Sequence, residues 1–256
     1  MSRHGTWVAR TLLTELVARF RSGAAAIPGH AWRQWIIALA AGCAFVLVFV
    51  VAGVHGGRRL ASNGALAWEA DFLLWLERTA PLSFSSAIWL QTPGTDIALA
   101  IVVLFTAGIA AWNARPIHAL SIVIAFVGLD LVVRFAWMLW DRPRPDLILD
   151  GVAAPGFASY PSGHAAKSVA VYGILAFLWG RASPSAAERA AAATLALVAV
   201  GAVILGRLRL GVHWPSDLLA GAIIGIAWCA ALALALSRAE RAAAHEADRT
   251  AAPAPE

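Results

Sequence analysis

The sequence predicts an all-α membrane protein built as a bundle of six transmembrane helices. Three observations carry that prediction. Of 256 residues, 60% are hydrophobic and only 14% are charged, against roughly 25% charged in a soluble domain. The apolar residues gather into runs of the length needed to cross a hydrocarbon core of about 30 Å. The segments between those runs collect the arginines, which argues against a nucleic-acid partner despite the formal net charge of +5. Cys43 and Cys229 both lie in apolar runs and read as small buried hydrophobes, not as a disulfide framework or a metal cluster.

Residues 1–34 form the first segment. Trp7, Val8, Leu12, Leu13, Leu16, Val17 and Phe20 recur at near-helical spacing, with Arg10, Arg19 and Arg21 interleaved. That pattern fits a basic amphipathic helix on the membrane surface; a frayed tail is the alternative. No compact apolar core precedes Pro28, so a cleavable signal is not expected.

Residues 35–237 hold the six spans. The first runs from Trp35 to Val54. Residues 66–92 mix Leu and Phe with Glu69, Asp71, Glu77 and Arg78, and read as an interfacial helix and a loop whose Trp68, Trp75 and Trp89 suit the headgroup zone. The second span is Ile97 to Trp112 and the third His118 to Trp140. Asp130 and Arg134 share a face of the third, which predicts a buried ion pair. A polar loop follows, then spans four (His164 to Leu178), five (Ala190 to Leu205) and six (Leu218 to Leu236). Residues 238–256, rich in Ala, Pro and Glu, are expected to be a disordered tail. The basic loops orient both termini to the cytoplasm. The loops after spans three and five then share the outer face.

Three polar stretches in those loops carry candidate chemistry. Asp141-Arg142-Pro143-Arg144-Pro145-Asp146 holds arginines in a stiff, extended segment, because each proline fixes its own φ and restricts the residue before it. Tyr160-Pro161-Ser162-Gly163-His164 sits where span four begins. Ser162 is placed to cap that helix, and helix N-termini bind phosphate through free N–H groups. Gly206-Arg207-Leu208-Arg209-Leu210-Gly211-Val212-His213-Trp214-Pro215-Ser216-Asp217 joins spans five and six. A histidine with an acid one helical turn on has the form of an oriented base or nucleophile, and arginine suits a phosphate or carboxylate.

Arg-Pro-Arg-Pro, Pro-Ser-Gly-His and Arg-x5-His-x3-Asp, in this order and between these spans, resemble the type-2 phosphatidic acid phosphatase superfamily, which includes integral-membrane lipid phosphate phosphatases. The resemblance covers spans three to six closely and the first half only in layout. It implies His213 as the nucleophile that takes the phosphoryl group, Asp217 as the group that orients it, and His164 as the acid and then the base. It implies Arg144 and Arg207 as the clamp on the phosphate oxygens, helped by the N–H groups of Ser162 and Gly163. It implies a lipid substrate, no metal and no cofactor. Candidate substrates are undecaprenyl diphosphate, phosphatidic acid and phosphatidylglycerol phosphate. Two other readings stay open: vanadate-dependent halide oxidation, and a non-catalytic lipid-binding or transport protein with a degenerate site.

Two positions depart from the family pattern. A Lys usually stands seven residues before the Arg that matches Arg144, where this chain has Trp137; a Ser usually precedes the Arg that matches Arg207, where it has Gly206. Lys167, the only lysine, and Arg134 each lie about one turn from the site on their own helices. Either is expected to supply the lost charge.

Overall fold

The computed structural model describes residues 3–80, 82–148 and 158–251. Among them there is no strand. Nine helices follow in order: α1 (Arg3–Ala26), α2 (Gly29–Ser62), α3 (Trp68–Thr79), α4 (Phe84–Gln91), α5 (Asp96–Trp112), α6 (Pro116–Leu139), α7 (Gly163–Ala182), α8 (Ala186–Arg209) and α9 (Pro215–Ala251), with a short 3₁₀ turn at Thr92–Gly94.

The helix starts are written locally. The side chains of Ser83, Thr95, Ser162 and Ser185 accept the N–H groups of Ser86, Ala98, Ala165 and Glu188. These bonds satisfy donors that a helix N-terminus otherwise leaves unpaired. Pro116 and Pro215 occupy the first positions of α6 and α9, where a missing N–H costs nothing.

Helix α9 packs along α2 and α7, α7 along α8, and α5 along α6. Val50, Val54, Leu129, Ala170, Ile174 and Leu232 lie at the centre of the core. The α7–α9 seam is tight: a Cβ on Gly221 would stand 2.4 Å from the Ser162 carbonyl oxygen, and one on Gly225 2.5 Å from that of Ala166. Helices that meet in lipid gain little from apolar burial and rely on small residues for close backbone approach. The outward faces are apolar too, with Val48, Ile97, Leu104, Phe105 and Leu197 among the exposed side chains.

Five described segments are long and apolar enough to cross a membrane: Gly29–Ser62, Phe84–Trp112, Pro116–Leu139, Ala186–Arg209 and Pro215–Glu246. The apolar runs of the sequence predict six. Helix α7 is the difference, because His164, Lys167, Ser168 and Tyr172 dilute its apolar character. The stretch expected to be one interfacial helix and a loop is two helices and a turn, α3, α4 and Thr92–Gly94.

The tail expected to be disordered over residues 238–256 continues α9 as far as Ala251, and residues 252–256 lie outside the described residues. Polar contacts with neighbouring helices hold its first turns. Glu240 accepts from Arg181 of α7 at 2.5 Å and lies 3.4 Å from the His118 ring of α6, and the His30 ring meets the Ala242 carbonyl at 2.8 Å. These contacts mark one end of the bundle, where α1 also lies, with Arg19 over the Trp112 ring. The candidate residues gather at the other end.

Candidate active site

His213 lies in the turn between α8 and α9 and is 1% exposed. Its Nδ1 stands 3.0 Å from the Ser159 carbonyl oxygen, an acceptor only, so Nδ1 carries the proton. The lone pair is therefore on Nε2, which faces the Arg144 guanidinium at 3.3 Å. Asp217, one turn into α9, is fully buried. Its Oδ2 is 3.7 Å from Nδ1, too long for a hydrogen bond. That oxygen accepts instead from the Ser159 hydroxyl and from the Trp214 N–H at 2.9 Å. Ser159 thus joins acid and imidazole, its carbonyl on one and its hydroxyl on the other. Burial pulls the His213 ring down to about 4; Asp217 opposes this, and Arg207 and Arg144 add to the lowering. The ring is neutral at neutral pH.

The second carboxylate oxygen of Asp217 accepts from Arg142 at 2.6 Å. Arg142 also donates to the Ser216 hydroxyl at 2.8 Å and to Glu69 of α3 at 2.5 Å. The rings of Trp140 and Trp214 are both close, each centroid 5.4 Å from the guanidinium carbon. A guanidinium so enclosed is a strut, not an anion clamp. Sequence alone assigns Arg142 no role and places Glu69 only in an interfacial helix.

Arg144 and Arg207 also lie near His213. Arg144 donates to the carbonyls of Val212 at 2.8 Å and Ala158 at 3.3 Å. Burial lowers its pKa, and Asp217 offsets part of that. Arg207, at the end of α8, donates to Gln91 of α4 at 2.6 Å. Its Nε is buried and has no partner among the described residues, a donor left for an anion. His164, the second residue of α7, lies within electrostatic range of Arg207, His213, Lys167 and Arg144. Ser162 caps α7 through its hydroxyl, 3.4 Å from the Ala165 nitrogen, and its own N–H is spent on the Asp217 carbonyl at 3.0 Å. The Ser162 N–H is therefore not a phosphate donor, contrary to expectation. Gly163 keeps its place at the head of α7. Among the described residues no cluster of His, Cys, Asp and Glu is arranged to hold a metal.

A model of the PAP2 superfamily matches residues 117–241, a stretch that contains all three motifs. These residues are a PAP2-superfamily domain. The fold is shared with a solved structure described as the first transmembrane PAP2 type phosphatidylglycerolphosphate phosphatase from Bacillus subtilis, at 19% identity and a TM-score of 0.63, over 78% of this chain and 96% of that one. No curated protein matches this chain.

Within the PAP2 pattern, the two departures have structural reasons. Trp137 replaces the usual Lys, and its indole N–H donates to the Pro161 carbonyl at 3.0 Å. It holds the turn before α7 in place. A Cβ on Gly206 would stand 2.7 Å from the Ala87 carbonyl oxygen and 2.8 Å from the Gln91 nitrogen. The missing side chain is what lets α4 lie against α8 and present Gln91 to Arg207. The expectation that Lys167 or Arg134 replaces the lost cation is not met. The buried Lys167 ammonium contacts Asp96 and Asp130, the latter at 2.9 Å. Arg134 pairs with Asp130 at 2.6 Å, with its side chain 60% exposed. Both cations belong to a carboxylate network beside the site, and the ion pair expected to be buried is half in the open. Arg209 turns away to the Leu82 carbonyl at 2.7 Å.

Proposed function

We propose that the chain is a metal-independent membrane phosphatase that hydrolyses a lipid phosphate or diphosphate through a phosphohistidine intermediate. The observation that carries this reading is the tautomer of His213. With Nδ1–H turned to the Ser159 carbonyl, the Nε2 lone pair points toward Arg144, and the unpartnered Nε of Arg207 belongs to the same cation cluster. Phosphoryl transfer asks chiefly for positioning and for charge stabilisation on the equatorial oxygens, which two guanidiniums supply.

In the first step Nε2 forms a bond to phosphorus and the bond from phosphorus to the lipid oxygen breaks. His164 gives that oxygen its proton, so a lipid alcohol leaves, or a lipid monophosphate when the substrate is a diphosphate. Asp217 and Ser159 hold the ring as it becomes cationic. In the second step His164 takes a proton from water, the hydroxide forms a bond to phosphorus, the phosphorus–nitrogen bond breaks, and inorganic phosphate departs.

A lipid substrate is supported by the setting. An apolar cavity of about 290 Å³ between α2 and α9 is lined by Phe49, Leu219 and Ile223, with Trp140, Tyr160 and Ser216 also on its wall. With α7 counted as a sixth span, both termini lie in the cytoplasm and the site lies at the outer face of the plasma membrane. Phosphatidylglycerol phosphate heads the candidates, since the structural neighbour is a phosphatidylglycerolphosphate phosphatase; phosphatidic acid and undecaprenyl diphosphate follow. Phosphate release from each lipid, with the purified chain in detergent, tests the reading. At least one lipid is hydrolysed and His213→Asn is inactive; no release from any of them sinks the proposal.

A further inference from the structure

We infer that Glu69, in α3 and outside the PAP2-matched stretch, is a positioning residue that holds the His213–Asp217 pair through Arg142. The inference rests on the phosphatase reading above. Helix α3 is amphipathic, with Trp68 and Trp75 about half exposed, yet Glu69 is 1% exposed. A carboxylate is costly to bury unless it is fully partnered, and both of its oxygens are. Oε2 accepts from Arg142 at 2.5 Å and Oε1 accepts the Ser216 N–H at 2.8 Å.

These two contacts act on the same element. Ser216 is the residue before Asp217, and its N–H is one of the donors that the start of α9 leaves without an internal partner. Arg142 donates to Asp217 Oδ1 at 2.6 Å. Glu69 therefore fixes the first turn of α9 from two directions. It also divides the charge of Arg142. With Glu69 present, the guanidinium is shared between two carboxylates, and Asp217 keeps enough negative charge to stabilise a cationic His213. Without it, Arg142 bears on Asp217 alone, and a buried cation has lost half of its neutralisation.

In Glu69→Gln one of the two oxygens becomes an NH2 group, so either the Ser216 N–H or Arg142 then faces a donor in place of its acceptor. The experiment compares steady-state phosphate release by the parent, Glu69→Gln, Glu69→Asp, Arg142→Gln and the Glu69→Gln/Arg142→Gln double variant, on whichever lipid the parent hydrolyses. In Glu69→Gln, kcat falls on the order of 10- to 100-fold, the scale of a small misplacement of reacting groups, and KM stays within about threefold because Arg144 and Arg207 are untouched. Glu69→Asp, which keeps the charge, recovers part of the rate. The double variant matches Arg142→Gln within about twofold, as expected for two residues acting through one path. If Glu69→Gln fails to fold, Glu69→Asp and the double variant, which removes both buried charges together, carry the same comparison. A parent that releases no phosphate overturns the phosphatase reading, and this inference with it. An active parent with an unchanged kcat in Glu69→Gln, a loss confined to KM, or losses that multiply in the double variant overturns the role of Glu69 alone.

Discussion

Restoring the family serine at Gly206 should damage the protein, not improve it. The Ala87 carbonyl and the Gln91 N–H form the last helical pair of α4, and a Cβ at position 206 would stand 2.7 and 2.8 Å from them. Both obstacles are backbone, so no side chain can rotate aside. Helix α4 must move, and it carries Gln91, whose side chain holds Arg207 at 2.6 Å. Overpacking of this kind costs about 1–3 kcal/mol. The same shift loosens the guanidinium proposed to face the phosphate. Gly206→Ser and Gly206→Ala are both expected to lower the thermal unfolding midpoint in detergent and to lower kcat/KM for the lipid phosphate by a similar factor. The Ala variant separates the effect of Cβ from that of the hydroxyl. A Gly206→Ser protein that keeps its midpoint and hydrolyses faster than the parent would refute the packing argument.

Gln91→Ala removes the acceptor of Arg207 without crowding α4. A hydrogen bond to a charged group contributes about 1.5–3 kcal/mol, so kcat/KM is expected to fall about 10-fold or more, chiefly through KM; an unchanged KM contradicts the assignment. The pH dependence of stability follows from His213. Its folded pKa is about 4, against roughly 6.5 in an unfolded chain. Above pH 6.5 both states are neutral there and the stability is fully present. As pH falls toward 4 the unfolded chain takes up a proton that the folded one refuses, and up to about 3 kcal/mol is lost. Denaturant titrations from pH 7 to 4 should show a steeper loss of stability in the parent than in His213→Asn; equal slopes contradict the buried, neutral assignment.

The helices and the three motifs are legible in the sequence because each has a local cause. Apolar runs set the spans, prolines and serines set their starts, and the motif spacing points to His164, His213, Asp217, Arg144 and Arg207. What stays hidden is made by contacts distant in the chain. Glu69 and Gln91 come from the first half, where nothing in their neighbours marks a site. Ser159 sits one residue before the Tyr-Pro-Ser-Gly-His stretch, and its carbonyl, the group that sets the His213 tautomer, has no sequence signature. Lys167 stands out as a lone lysine in an apolar helix, but whether such a cation meets phosphate or carboxylate depends on Asp96 and Asp130, which come from two other helices. The tail after Ser237 looks unable to bury a core; its first turns are held by partners on α2, α6 and α7.

Trapping of the covalent intermediate tests the central claim most directly. The parent is mixed briefly with a lipid phosphate carrying labelled phosphorus and quenched in alkali, which preserves phosphohistidine, and the labelled peptide is then mapped. The account predicts label on Nε2 of His213 that disappears on a chase with unlabelled substrate and never forms in His213→Asn. Label on any other residue, or an active enzyme that never carries label at position 213, would contradict it.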